Sequence, residues 1–99
     1  MATRVIKNSD KEFSKTLEDV EKRFFHSGGD EQSETILNWN KQDFKEGYVG
    51  IWTNNKDASK LIKRSKQYIL EIIDYGYAVD FKMDKKGFRS AISAFKVGK

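Results

Sequence analysis

The sequence predicts an α+β fold, a two-layer sandwich with two amphipathic helices on one face of a mainly antiparallel sheet. Three observations carry that expectation. Apolar residues recur at helical spacing in two stretches, apolar and polar residues alternate with period two in others, and Gly, Asn and Asp cluster at the boundaries. At 99 residues the chain has the length of one domain with one core, so residues 1–99 are expected to fold as a unit.

Val5 and Ile6 suggest a short first strand. Ser9 with Glu12 three residues on reads as a capping box, ahead of the stripe Phe13, Leu17, Val20 and Phe24, and Gly28-Gly29 is the expected stop. Two strands should follow, Thr35 to Lys41 and Tyr48 to Thr53, joined through the polar residues 42–47. In the second of them Val49 and Ile51 point one way, and Tyr48, Gly50 and Trp52 the other. After the turn residues Asn54 and Asn55, a helix is expected from Asp57 to Tyr75, with an apolar face of Ala58, Leu61, Ile62, Ile69, Ile72 and Ile73. Tyr77, Val79, Phe81 and Met83 alternate with polar or small residues as a half-buried strand. Asp84-Lys85-Lys86-Gly87 then has the pattern of a type I turn into a hairpin, with a last strand near residues 88–94. A helical stripe of Phe88, Ala91, Ile92 and Phe95 is the alternative there. If Val5-Ile6 is a strand, the first six elements follow the βαββαβ order of ferredoxin-like folds, with the C-terminal strand added.

Composition limits function. The absence of cysteine removes disulfides, thiolate nucleophiles and Cys-based metal sites, and His26 is the only histidine. There is no Gly-x-Ser-x-Gly elbow, and Gly28-Gly29 leads into the acidic residues Asp30, Glu31 and Glu34 rather than a phosphate cradle. A catalytic role, a metal and a cofactor are therefore not expected. Asp80 and Asp84 share a strand face with Lys82 between them, which suits surface ion pairing better than a cation site. No signal-peptide core or membrane-spanning apolar run is visible, and a cytoplasmic location is the expectation.

Charge is unevenly divided. Residues 1–50 carry 8 Lys/Arg and 10 Asp/Glu, residues 51–99 carry 11 and 5, and the whole chain is +4. Cations on the second helix (Lys60, Lys63, Arg64) and near the predicted turn (Lys82, Arg89) suit phosphate contacts, while Tyr48 and Trp52 on one strand face suit base stacking. The segment 46–53 matches the RNA-recognition consensus at Gly47, Tyr48 and Ile51 but lacks its basic residue and second aromatic, so it does not carry that motif. The first expectation is thus a small, non-enzymatic nucleic-acid-binding protein. The alternative is a protein-binding inhibitor, adaptor or accessory factor of the kind phages and mobile elements encode, docking through a sheet edge or the aromatic face.

Overall fold

In the computed structural model, which describes residues 3–25 and 33–89, five strands form one antiparallel sheet. The elements run β1 (Arg4–Lys7), α1 (Phe13–Phe24), β2 (Thr35–Leu37), α2 (Lys41–Glu46), β3 (Tyr48–Thr53), α3 (Asp57–Ser65), β4 (Ile69–Asp74) and β5 (Val79–Asp84). Single 3-10 turns at Lys66–Tyr68 and Lys85–Gly87 follow α3 and β5. The strand order across the sheet is β1-β4-β5-β3-β2, so the hairpin of β4 and β5 lies at the centre.

Registers align the inward side chains in a row. Ile6 faces Ile72, Ile72 faces Phe81, Phe81 faces Ile51, and Ile51 faces Leu37. Over this row pack Leu17, Val20 and Phe24 of α1 and Ala58, Leu61 and Ile62 of α3, all buried. Both helices therefore cover the same sheet face, as their stripes require: each buries one apolar side and leaves its charged side to solvent.

One ion pair fastens the helix layer to the end of the sheet. Arg23, in the last turn of α1, donates from Nη1 to Asp74 Oδ1 at 2.8 Å and from Nη2 to Asp74 Oδ2 at 2.9 Å. The same guanidinium bonds the Asp19 carboxylate and the Gly76 carbonyl, and the Gly76 N–H donates to Asp74 Oδ1. Asp74 is almost fully buried, and the Arg23 bond holds its carboxyl below the usual carboxylate range despite desolvation. A two-pronged geometry of this kind fixes orientation as well as adding energy.

Several expectations are corrected. The helix expected over 57–75 ends at Ser65, and Ile69, Ile72 and Ile73 belong to β4. A β-bulge between Ile69 and Glu71 explains the misreading, because it lets Ile69 and Ile72, three apart, face the same side as helical residues would. The strand expected to Lys41 stops at Leu37. Asn40 instead caps α2 reciprocally, its side chain accepting from the Asp43 N–H while Asp43 accepts from the Asn40 N–H. Ser9 and Glu12 form no cap: Asp10 accepts from the Lys7 N–H, and α1 begins at Phe13 with no side-chain cap bond. The Asp84–Gly87 segment forms a 3-10 turn, after which Phe88 has helical backbone instead of entering a hairpin. Five strands are present as expected, but the last two are drawn from 69–84. The rest of the expected 88–94 strand, His26, Asp30 and Glu31 lie outside the described residues.

Gly87 fits against Tyr68, since a Cβ there would lie 2.6 Å from the Tyr68 Cβ. This contact joins the two 3-10 turns and packs the end of β5 against the start of β4.

Two predictions follow from this packing. Ile69→Ala and Phe24→Ala should each cost about 2–5 kcal/mol, from lost burial and the cavity left behind; urea denaturation measures this, and losses under about 1 kcal/mol at both sites would contradict the packing. Asp74→Asn should cost about 1–3 kcal/mol at neutral pH, less than the ~3–5 kcal/mol of a fully buried broken pair because Arg23 keeps partial solvent access. The sign with pH follows from the lowered folded-state pKa. Stability from Asp74 is complete above the unfolded carboxylate value near 4 and is lost as pH falls through the folded value, so the wild type and Asp74→Asn should converge in acid.

Candidate binding face

With both long helices on one side, the opposite sheet face presents two rows of side chains that cross the whole sheet, and beside them the pair Tyr48–Asp84. In the first, Val5 faces Ile73, Ile73 faces Asp80, Asp80 faces Trp52, and Trp52 faces Ile36. In the second, Lys7 faces Glu71, Glu71 faces Lys82, and Lys82 faces Gly50, with Asn38 hydrogen-bonded to Gly50 on the far side. The alternation that sends Val79, Phe81 and Met83 inward sends Asp80, Lys82 and Asp84 outward.

The first row is an apolar band with one carboxylate at its middle. Val5 is 54% and Ile36 46% exposed. Trp52, half-buried, meets the ring of Tyr77 edge-on at 6.5 Å, and Tyr77, 70% exposed, lies 6.4 Å from Tyr75. The aromatic area therefore extends past the strand onto the turn between β4 and β5, where an exposed ring leaves apolar surface in water.

Asp80 has a particular environment. Its desolvation on the sheet raises its pKa above the ordinary carboxylate value, nearby Glu71 adds to the rise, and a 3.0 Å bond from Asn38 Nδ2 opposes it. Asn38 reaches Asp80 only by lying across β3 at Gly50, where a Cβ would come 2.0 Å from the Asn38 Oδ1. A glycine inside a strand is unfavourable, and here it accommodates a side chain crossing directly over the backbone. Asn38, Asp43, Tyr48, Gly50, Asp80 and Lys82 line a cavity of about 190 Å³ beside this crossing.

The sequence candidates divide between the two faces. Tyr48, Trp52 and Lys82 share the open face, and Lys82 Nζ sits 4.2 Å from the Tyr48 ring centroid. Lys60, Lys63 and Arg64 are on α3, in the helix layer on the other side of the sheet, with Lys63 Nζ 5.0 Å from the Phe25 ring centroid. Arg89 is exposed just after the second 3-10 turn. The cationic helix and the aromatic strand thus do not form one surface. Sequence reasoning missed Asn38, Tyr77, Ile36 and the Val5–Ile73 pair; the one available signal was Gly50, a glycine inside a strand pattern.

Among the described residues no three His, Cys, Asp or Glu side chains gather as a metal site, and no helix is long and apolar enough to cross a membrane. No family model, curated protein or solved structure matches this chain.

The crossing over Gly50 makes a direct prediction. Gly50→Ala should displace the flexible Asn38 side chain while changing stability by no more than about 1 kcal/mol, because the strand regains an ordinary residue. Without the Asn38 donor, the Asp80 pKa should rise further. Carboxyl-detected NMR titration reads this shift, and an unchanged Asp80 midpoint would contradict the geometry.

Proposed function

We propose that this domain is a non-catalytic binding module that docks a protein partner on its open sheet face. The observation that carries the reading is the band Val5–Ile73–Asp80–Trp52–Ile36, extended by Tyr77, on a face to which α1 and α3 contribute nothing. Exposed apolar and aromatic area rimmed by charges (Lys7, Glu71, Lys82, Asp84) has the composition of a recognition patch, where Trp and Tyr supply most of the binding energy. The same face suits nucleic acid less well. Asp80, Asp84 and Glu71 stand among its aromatics and would repel phosphates, and the Lys82 ammonium is placed over Tyr48. An inhibitor or adaptor is the role such a module would fill.

A second reading rests on α3. Lys56, Lys60, Lys63, Arg64 and Lys66 follow one another along this helix and its ends, while its one acid, Asp57, is turned to the Thr35 hydroxyl at 2.6 Å. That run of cations suits a phosphate backbone, without help from Tyr48 or Trp52.

Affinity capture from extract of the native cells, compared across variants, separates the two. Tyr77→Ala and Trp52→Ala should each weaken retention of a specific protein by about 5–30-fold, as for interface anchors, and the triple change Lys60→Gln, Lys63→Gln, Arg64→Gln should leave it intact. If no protein is retained, while oligonucleotides bind with steep salt dependence that the triple variant flattens, the second reading replaces the first.

A further inference from the structure

Resting on the protein-docking reading, we infer that the partner presents an arginine side chain, which seats in the cavity between α2 and β5 against Asp80 and Asn38. Asp80 is the centre of the apolar band, flanked across the strands by Ile73 and Trp52, so any partner that covers the band also covers Asp80. Further desolvation of a carboxylate with a single side-chain donor is unfavourable unless the partner brings a cation or donors of its own.

The cavity is lined to receive such a group. Asn38 Nδ2 bonds one Asp80 oxygen, which leaves the other Asp80 oxygen and the Asn38 Oδ1 as acceptors beside Gly50. Asp43, whose Oδ2 holds the Asn40 N–H, adds a second carboxylate at the rim. Lys82 lines the same cavity, with its ammonium over the Tyr48 ring. Acceptors spread over three side chains match a planar group with several donors in fixed directions. The guanidinium is also less strongly hydrated than an ammonium and stacks on aromatic rings, for which Trp52 stands next to Asp80 across the strands, the Tyr48 ring being already taken by the Lys82 ammonium. A volume of about 190 Å³ is of side-chain size, too small for a folded element and adequate for one extended arginine.

The absence of a Cβ at residue 50 belongs to the same device. It lets the Asn38 amide lie flat over the strand and keeps the Asp80 carboxyl in a fixed direction before the partner arrives, and such pre-organisation lowers the cost of binding.

The test uses the full chain and two capped tripeptides, one with arginine between two leucines and one with the neutral isostere citrulline in its place. Amide NMR shifts of uniformly labelled protein should show saturable changes at Asn38, Gly50 and Asp80 with the arginine peptide, with a dissociation constant on the order of 1 mM, and at least ~10-fold weaker binding of the citrulline peptide. Asp80→Asn and Gly50→Ala, the second expected to keep the fold and displace only Asn38, should each remove most of that preference. Equal binding of the two peptides, a preference that survives Asp80→Asn, or no shift at these amides up to ~10 mM would overturn the inference. Those results leave the docking reading standing if Tyr77→Ala and Trp52→Ala still weaken capture of the partner by about 5–30-fold, whereas capture unchanged by those two variants removes the docking face itself.

Discussion

Burial of Phe81 at the centre of the sheet is the constraint on which the other elements depend. It lies on the middle strand, paired with Ile72 on one side and Ile51 on the other, and all three are fully inaccessible to water. Each flanking residue extends the row to an edge, at Ile6 and Leu37. Because side chains alternate along a strand, fixing this row inward fixes its neighbour outward, and a one-residue slip would exchange the two faces. The helix layer and the open band are therefore consequences of one register.

The same constraint explains the division of labour among charges. On the covered side, Asp74 lies near the end of β4 and is matched by Arg23 with two hydrogen bonds, so its desolvation is compensated within the chain. On the open side, Asp80 receives one bond, from Asn38, and its pKa moves the opposite way. Two aspartates at neighbouring rows of one sheet thus differ in what completes them. The first is satisfied by the fold, and the second has acceptor capacity directed at the cavity and the solvent. Groups held at such a cost concentrate where proteins bind and react.

The two edges of the sheet differ as well. At β1 the Lys7 N–H is taken by Asp10 and the Lys7 carbonyl by the Asp10 N–H, which satisfies the backbone groups at the end of that strand, and Arg4 and Lys7 add charge to the edge. At β2, only three residues long, Ile36 on the open face is about half exposed, as is Leu37 at the margin of the covered face. The apolar character of the open face therefore reaches the sheet margin on the β2 side, next to Trp52, while the β1 side is polar beyond Val5.

The sequence by itself determined the fold class, the inward stripe of α1 and the two faces of β3, because each depends on a periodicity that one local stretch displays: Phe13 to Phe24 at three and four, Tyr48 to Thr53 at two. It also held the turn chemistry at Asn54-Asn55, where Asn55 accepts from the Asp57 N–H at the start of α3. Other features were decided only in three dimensions. Ile69 and Ile72 have helical spacing in the sequence and became strand residues because a bulge and the pairing partners β1 and β5 offered them backbone hydrogen bonds and a covered face. Lys60, Lys63 and Arg64 are close in sequence to Tyr48 and Trp52, yet a sheet separates them, since the face a helix covers is set by packing rather than by distance along the chain. Asn38 and Asp80 are 42 positions apart and meet only because β3 lies between them with no side chain at residue 50. No local pattern encodes that meeting, because it depends on strand order, register and the space above one glycine together.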